Sequence, residues 1–391
     1  MQREESDYLF YQHRVLGVPA GRRHLVSVLI TLLCGCAAQA PPPQPDQGSS
    51  IVSTTTASLE KSGALDASRS VNAAGGTAGS AASEAAVASP EKTVALQRWV
   101  TQQDRLERVA APLLLNNVKL CQRHARPVPG FSARTKYAFS TAFVAEAGLA
   151  LGLDERLRIV SVMPASGAAS SGLLNGDILV AAEGELFPTG QDAESASVLL
   201  LRRKMRGRTS VNLQLLREEK KISLRVPVTP ACGMTVLLGN SDAVNSYADG
   251  NRLLITRGML NFTQSDQELA YVLAKEIAHN ALSRAVRPSM RSVIDNLHGN
   301  PNASGKMVKI SPYKPVVDAT ADKIALYMLA RSGYDIDAVP DFWKRLATAY
   351  PMTLENSHTS LHPSTNYRLS VISQIVKTIK LKQQNQLPLI P

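Results

Sequence analysis

Lys275, Glu276 and His279 are the residues whose types and spacing come nearest to catalytic chemistry; they stand in the run LAKEIAHN, residues 273–280. On a helix, residues four apart are neighbours on one face. Two imidazoles at that spacing can hold a divalent metal, and a carboxylate between them can activate a metal-bound water. Here the first nitrogen belongs to an amine. An ammonium with an ordinary pKa near ~10.4 must lose its proton before it donates to a metal, which costs about 4–5 kcal/mol at neutral pH. Complete structural zinc sites are worth about 10–16 kcal/mol, so that penalty together with a lost imidazole weakens binding by orders of magnitude. Lys275 has a second use: its own charge can stand in the cavity and pair with Asp318 or Glu276.

The elements that must carry these groups are legible. Ser265 and Glu268 have the spacing of a capping box, and the helix they open is expected to run from Asp266 to about Arg287, stopped by Pro288. A second helix, about Val316 to Arg331 with Gly333 as its C-terminal cap, places Asp318 and Asp322 four apart on one face. Before them, Asp249-Gly250 marks a turn followed by an apolar strand. From Ser89-Pro90 to Leu115, Leu96, Trp99, Val100, Leu106, Val109 and Leu113 recur at helical spacing. Residues 210–228 alternate as a hairpin, with Glu218 to Lys221 at its turn.

Two resemblances follow from these runs. NSYADGNRLLITRGML, ELAYVLAKEIAHNAL, DATADKIALYMLARSGYD and HPSTNYR, in that order over residues 235–385, resemble the zinc endopeptidases of the CAAX prenyl protease and HtpX type. The likeness is to the exported lipoprotein members with an inserted PDZ domain. It implies zinc, with ligands at Lys275, His279 and Asp318, Glu276 as general base and Asp322 supporting the site from behind. It also sets His362 near the metal and makes Arg368 the basic residue of its motif. Two ligand positions depart from the family pattern, Lys275 replacing His and Asp318 replacing Glu. His358 and His298 are further histidines that could supply a ligand. Residues 150–228, with Pro164, Gly172-Leu173 and Gly176-Asp177-Ile178-Leu179, resemble a PDZ domain, which receives an extended peptide as an added strand. GLALGLD (148–154) is its candidate carboxylate loop.

The chain has 391 residues, 44% of them hydrophobic, enough to bury a sizeable core. Its formal charge of +11 is spread out apart from Arg202, Arg203, Lys204, Arg206 and Arg208, which read as a solvated helix end. No zinc finger or aromatic-basic array is present in the sequence, so nucleic acid is not expected as a partner. Arg22 and Arg23 precede a mostly apolar run of nine residues, Leu25 to Leu33, too short to span a bilayer, which leads into Leu33-Cys34-Gly35-Cys36. That arrangement resembles a bacterial lipoprotein signal over residues 1–36, with the lipid on Cys36. Glu4, Glu5 and Asp7 are unusual in such a leader and suggest a later start, near Val15 to Val18. Residues 37–92, rich in Ala, Ser, Gly and Pro, read as a flexible tether. Cys121 and Cys232, an even pair in an oxidising compartment, read as a disulfide, the alternative being two buried thiols.

The expectation is therefore an α+β protein of the bacterial envelope, lipid-anchored at the periplasmic side of the outer membrane. Residues 93–149 are an N-terminal helix and strand packing on a mostly helical, zincin-like peptidase domain with a small sheet (235–385), and a β-rich PDZ domain precedes that domain. Two functions stay open. One is zinc-dependent hydrolysis of envelope proteins in quality control; the other is a pseudopeptidase that binds proteins or peptides through its PDZ groove or vacant cleft.

Overall fold

The computed structural model describes residues 89–299, 313–350 and 366–391. The leader, Cys36, most of the tether, His358 and His362 lie outside them. The chain is α+β. Helix α1 (Pro90–Asn116) begins at a proline, which has no N–H to lose in a first turn; the last residues assigned to the tether are thus helical. Strands β1 (Ala125–Val128) and β2 (Phe131–Arg134) follow, then α2 (Val144–Leu151), β3 (Arg158–Val162), β4 (Ile178–Ala182), β5 (Glu185–Leu186), α3 (Ala193–Met205), β6 (Ser210–Arg217) and β7 (Lys220–Pro227). Next come β8 (Thr229–Cys232), β9 (Thr235–Gly239), β10 (Ser246–Ala248) and β11 (Arg252–Thr256). The remainder is helical: α4 (Arg257–Phe262), α5 (Asp266–Leu282), α6 (Pro288–Gly299), α7 (Pro315–Arg331), α8 (Val339–Ala349) and α9 (Asn366–Gln384).

Among the described residues two large hydrophobic cores form, beside two smaller clusters. The larger joins α1, β9, β11, α5, α7, α8 and α9 through Leu106, Leu113, Ile255, Leu273, Leu326 and Trp343 among others. The second lies under the sheet β2-β3-β4-β6-β7, with β5 paired to β4, and contains Leu157, Ile159, Leu179, Leu200, Leu213 and Leu215. Strand β2 was expected to pack with the peptidase part. Instead it pairs antiparallel with β3, and Phe131 and Ala133 pack on the second core, because that sheet offers an open edge and an apolar face. The preceding strand β1 pairs with β8, so the chain enters and leaves the sheet body through one short ladder. Cys121 and Cys232 are bonded beside that ladder.

Local chemistry explains most boundaries. The β6–β7 turn is tighter than expected: only Glu218 and Glu219 lie in it, both at positive φ, and Lys220 and Lys221 belong to the strand. A two-residue hairpin turn needs that backbone to match strand twist. GLALGLD forms the end of α2 and its left-handed cap at Gly152, not a strand-edge loop. The basic cluster ends α3, where cations suit the helix dipole. There Lys204 and Arg203 pair with Glu185, and Arg208 pairs with Glu183. Among the described residues no helix is long and apolar enough to cross a membrane.

Candidate functional site: a buried ion cluster between α5 and α7

Ser265 caps α5, its Oγ accepting from the Glu268 N–H at 3.2 Å, while the Glu268 carboxylate accepts from Gln264. The helix ends at Leu282, five residues earlier than expected, and Pro288 opens α6 instead of terminating α5. Asn280 helps set that end: its Oδ1 accepts from Gly250 N–H at 2.6 Å and its Nδ2 donates to the Arg252 carbonyl, fastening the β10–β11 hairpin to α5. Gly250, at φ 101°, leaves no room for a Cβ, which would stand 2.7 Å from the Ala285 carbonyl. Every residue from Leu269 to Asn280 is buried, so α5 is an internal helix and its polar residues must find partners inside the protein.

Lys275, 1% exposed, finds three. Its ammonium lies 2.6 Å from Asp322 Oδ1 and 2.8 Å from Asp318 Oδ1, and it donates to the Asp318 main-chain carbonyl at 3.0 Å. Two of these contacts are hydrogen bonds, to Asp322 Oδ1 and to the Asp318 carbonyl, and the third is an ion pair. Arg368 approaches Asp322 from the opposite side in a two-pronged pair, Nε to Oδ2 at 2.7 Å and Nη2 to Oδ1 at 2.8 Å, with its guanidinium over the Trp343 ring. Burial alone would raise the Asp322 carboxyl, but the Lys275 charge and the Arg368 hydrogen bonds outweigh it and hold its pKa low. On Lys275 burial is the largest influence and pulls the pKa down, opposed by Asp322 and Asp318. Two cations face two carboxylates.

His279 Nε2 stands 3.2 Å from Asp318 Oδ1, and the Tyr313 ring stacks on the imidazole with centroids 3.7 Å apart. Tyr313 also donates to the carbonyl of Ala248 on the edge strand β10, and the Arg287 guanidinium lies over its ring. Glu276 does not pair with Lys275: the next residue on a helix faces elsewhere, and its Oε1 accepts from Ser246 Oγ at 2.8 Å. Its Oε2 is buried without a hydrogen-bond partner among the described residues. Burial pushes the Glu276 carboxyl up to about 7, against the lowering effects of Ser246 and Lys275.

A divalent metal tests this donor set and the described residues do not fit it. The first ligand position holds an ammonium already hydrogen-bonded to Asp322 and to the Asp318 carbonyl, and Asp318, the third position, is in an ion pair with that same ammonium. Among the described residues no group of three His, Cys, Asp or Glu side chains is arranged to hold a metal ion. His298 lies elsewhere, its Nδ1 3.0 Å from the Leu238 carbonyl and its ring near Trp99. Ser246, Tyr313 and Trp343 were not singled out from the sequence, and Arg287 was named only as a helix end; Ser246 alone stood inside a motif, and it read there as part of a strand and turn.

Comparisons with known proteins agree with the resemblance. Residues 218–376 match the model of peptidase family M48. The chain is 28% identical over 157 residues to the Beta-barrel assembly-enhancing protease of Yersinia pestis, covering 34% of this chain and 32% of that protein. It is 26% identical over 154 residues to the Mitochondrial metalloendopeptidase OMA1 of Arabidopsis thaliana, covering 36% and 31%. The chain therefore spans about a third of the length of these curated relatives. A solved HtrA3 PDZ domain bound to a phage-derived ligand matches 27% of this chain and 88% of its own at 16% identity, with a TM-score of 0.20, too low to carry an argument. With the Glu-x-x-His remnant on α5 and the facing α7, residues 218–376 of this chain are similar to peptidase family M48.

Proposed function

We propose that the protein is a non-catalytic member of its peptidase family that binds segments of other proteins in the bacterial envelope. The observation that carries this reading is Lys275, whose ammonium pairs with Asp318 and Asp322 where the family pattern calls for a metal ligand. Without a Lewis acid, neither a polarised carbonyl nor an activated water is available, while β10 remains an edge strand of its three-stranded sheet. In the same reading the sheet body of residues 131–227 is a PDZ-type module, a second place where an extended peptide can add to an edge strand. The lipid on Cys36 and the tether of residues 37–88 hold the folded part near the periplasmic face of the outer membrane. The name of the Yersinia relative makes proteins undergoing β-barrel assembly a reasonable class of partner.

One observation favours the competing reading, a zinc endopeptidase. Glu276 is buried next to His279 with a pKa near 7, the range that suits a general base. An unstructured protein substrate incubated with the full chain, with and without a chelator, separates the two. The non-catalytic reading expects no cleavage in either case, and peptide binding that neither chelator nor Glu276→Gln alters. Cleavage that chelator stops and Glu276→Gln abolishes would overturn it.

A further inference from the structure

We propose that Lys275 is an internal cation that performs the cross-linking task of a metal between α5 and α7, leaving a metal site that is one side chain away from use. The inference rests on the non-catalytic reading above and goes further, to what holds the site together.

Geometry carries it. A metal in such a cleft does two things: it supplies chemistry, and it ties ligands from separate helices at one point. Lys275 reproduces the second. Lys275 lines a small cavity together with Tyr271, Leu326, Leu329 and Trp343, and its ammonium takes one main-chain and two side-chain oxygens from α7, residues 43 and 47 positions further along the chain. Arg368 from α9 closes the far side of Asp322 and rests on Trp343 of α8, so four helices meet at one cluster of balanced charge. A structural ion pair usually keeps one end wet. Here Lys275 and Asp322 are 1% and 3% exposed, and removing Lys275 alone leaves two buried carboxylates with one cation, Arg368.

The remaining ligand groups keep their direction. His279 Nε2 and Asp318 Oδ1 converge to 3.2 Å, and position 275 lies one turn before 279 on the same face of α5. A histidine at 275 would therefore put an imidazole beside His279 and opposite a carboxylate freed from its ammonium, a two-histidine, one-carboxylate set.

The test is thermal unfolding of the full chain as wild type, Lys275→Met and Lys275→His, each with added zinc and with chelator, alongside zinc content by mass spectrometry. The wild type should melt at the same temperature in zinc and in chelator and carry no stoichiometric zinc. Lys275→Met should melt about 10 °C lower or more in both conditions, since two buried carboxylates lose a cation. Lys275→His should melt low in chelator, recover in zinc and bind near one zinc per chain. If Lys275→Met does not fold, the zinc and chelator arms of Lys275→His still read the cross-link from a single variant. Lys275→Met within 2 °C of wild type, or Lys275→His that takes no zinc, overturns the inference while leaving the non-catalytic reading intact. A wild type that carries zinc and loses stability in chelator overturns both.

Discussion

Two buried carboxylates, one in each core region, have opposite environments. Asp177, in the sheet body, accepts from Arg217 Nε and Nη2 at 2.7 Å and from the Leu174 N–H at 2.9 Å. Burial pushes its pKa up, but the Arg217 hydrogen bond and charge and the Leu174 N–H overcome that and hold it below the ordinary range. Glu276, in the helical region, has one hydroxyl donor and an oxygen with no partner among the described residues, and burial raises it to about 7. The first is a satisfied structural anion. The second is a carboxyl that the fold would sooner keep protonated.

The largest expected effect tests whether the two regions can be compared as separate bodies at all. The bond between Cys121 and Cys232, 111 residues apart, sits where the chain enters and leaves the sheet body. Replacing both by serine should cost up to about 5 kcal/mol through the entropy of the unfolded chain. Calorimetry should then show two transitions where the wild type shows one. A single transition at lowered temperature would mean the cores are coupled by packing alone.

The two carboxylates should next separate by the sign of their pH dependence. Glu276 binds its proton more tightly folded than unfolded, so its contribution is full below about pH 4 and is lost as pH rises through about 7. Glu276→Gln should accordingly be more stable than wild type at pH 8 by about 2–4 kcal/mol, a gain that vanishes at pH 4. Asp177 has the reverse sign: its folded pKa is depressed, so it stabilises above the unfolded value near ~3.9 and loses that as pH falls through the folded value. Asp177→Asn should lose about 2 kcal/mol at pH 7 and little at the acid end, as urea titrations across pH would show. Equal slopes for the two variants would erase the distinction.

The smallest effect sharpens it. Ser246→Ala removes the hydroxyl that lowers Glu276, so the carboxyl should titrate higher still, by about 1 kcal/mol or less of bias, read by infrared difference spectra of the carboxyl band. An unmoved band would mean that desolvation alone sets Glu276.

Much of this architecture was legible in the residues, because local rules act over one turn or one strand. Ser265 with Glu268 marked the start of α5, Asp318 and Asp322 shared a face of α7, and alternation through residues 210–228 gave the hairpin. The end of α5 was misplaced because Pro288 is as good at beginning a helix as at stopping one, and Asn280 holds the hairpin at the true end. The Lys275 partner was half read: Asp318 was foreseen, and Asp322 took the place given to Glu276, which turned to Ser246.

By itself, then, the sequence determined which faces of which helices carry chemistry, and that an amine stands where an imidazole would make a metal ligand. Spacing and side-chain type are local properties and need no fold to be read. Only the tertiary structure decided that the amine is satisfied by two carboxylates from a helix more than 40 residues away, that Arg368 balances them from α9, that Tyr313 lies on His279, and that β2 belongs to the other sheet. Those are meetings between distant segments, set by how two cores pack and by the requirement that every buried charge find its opposite.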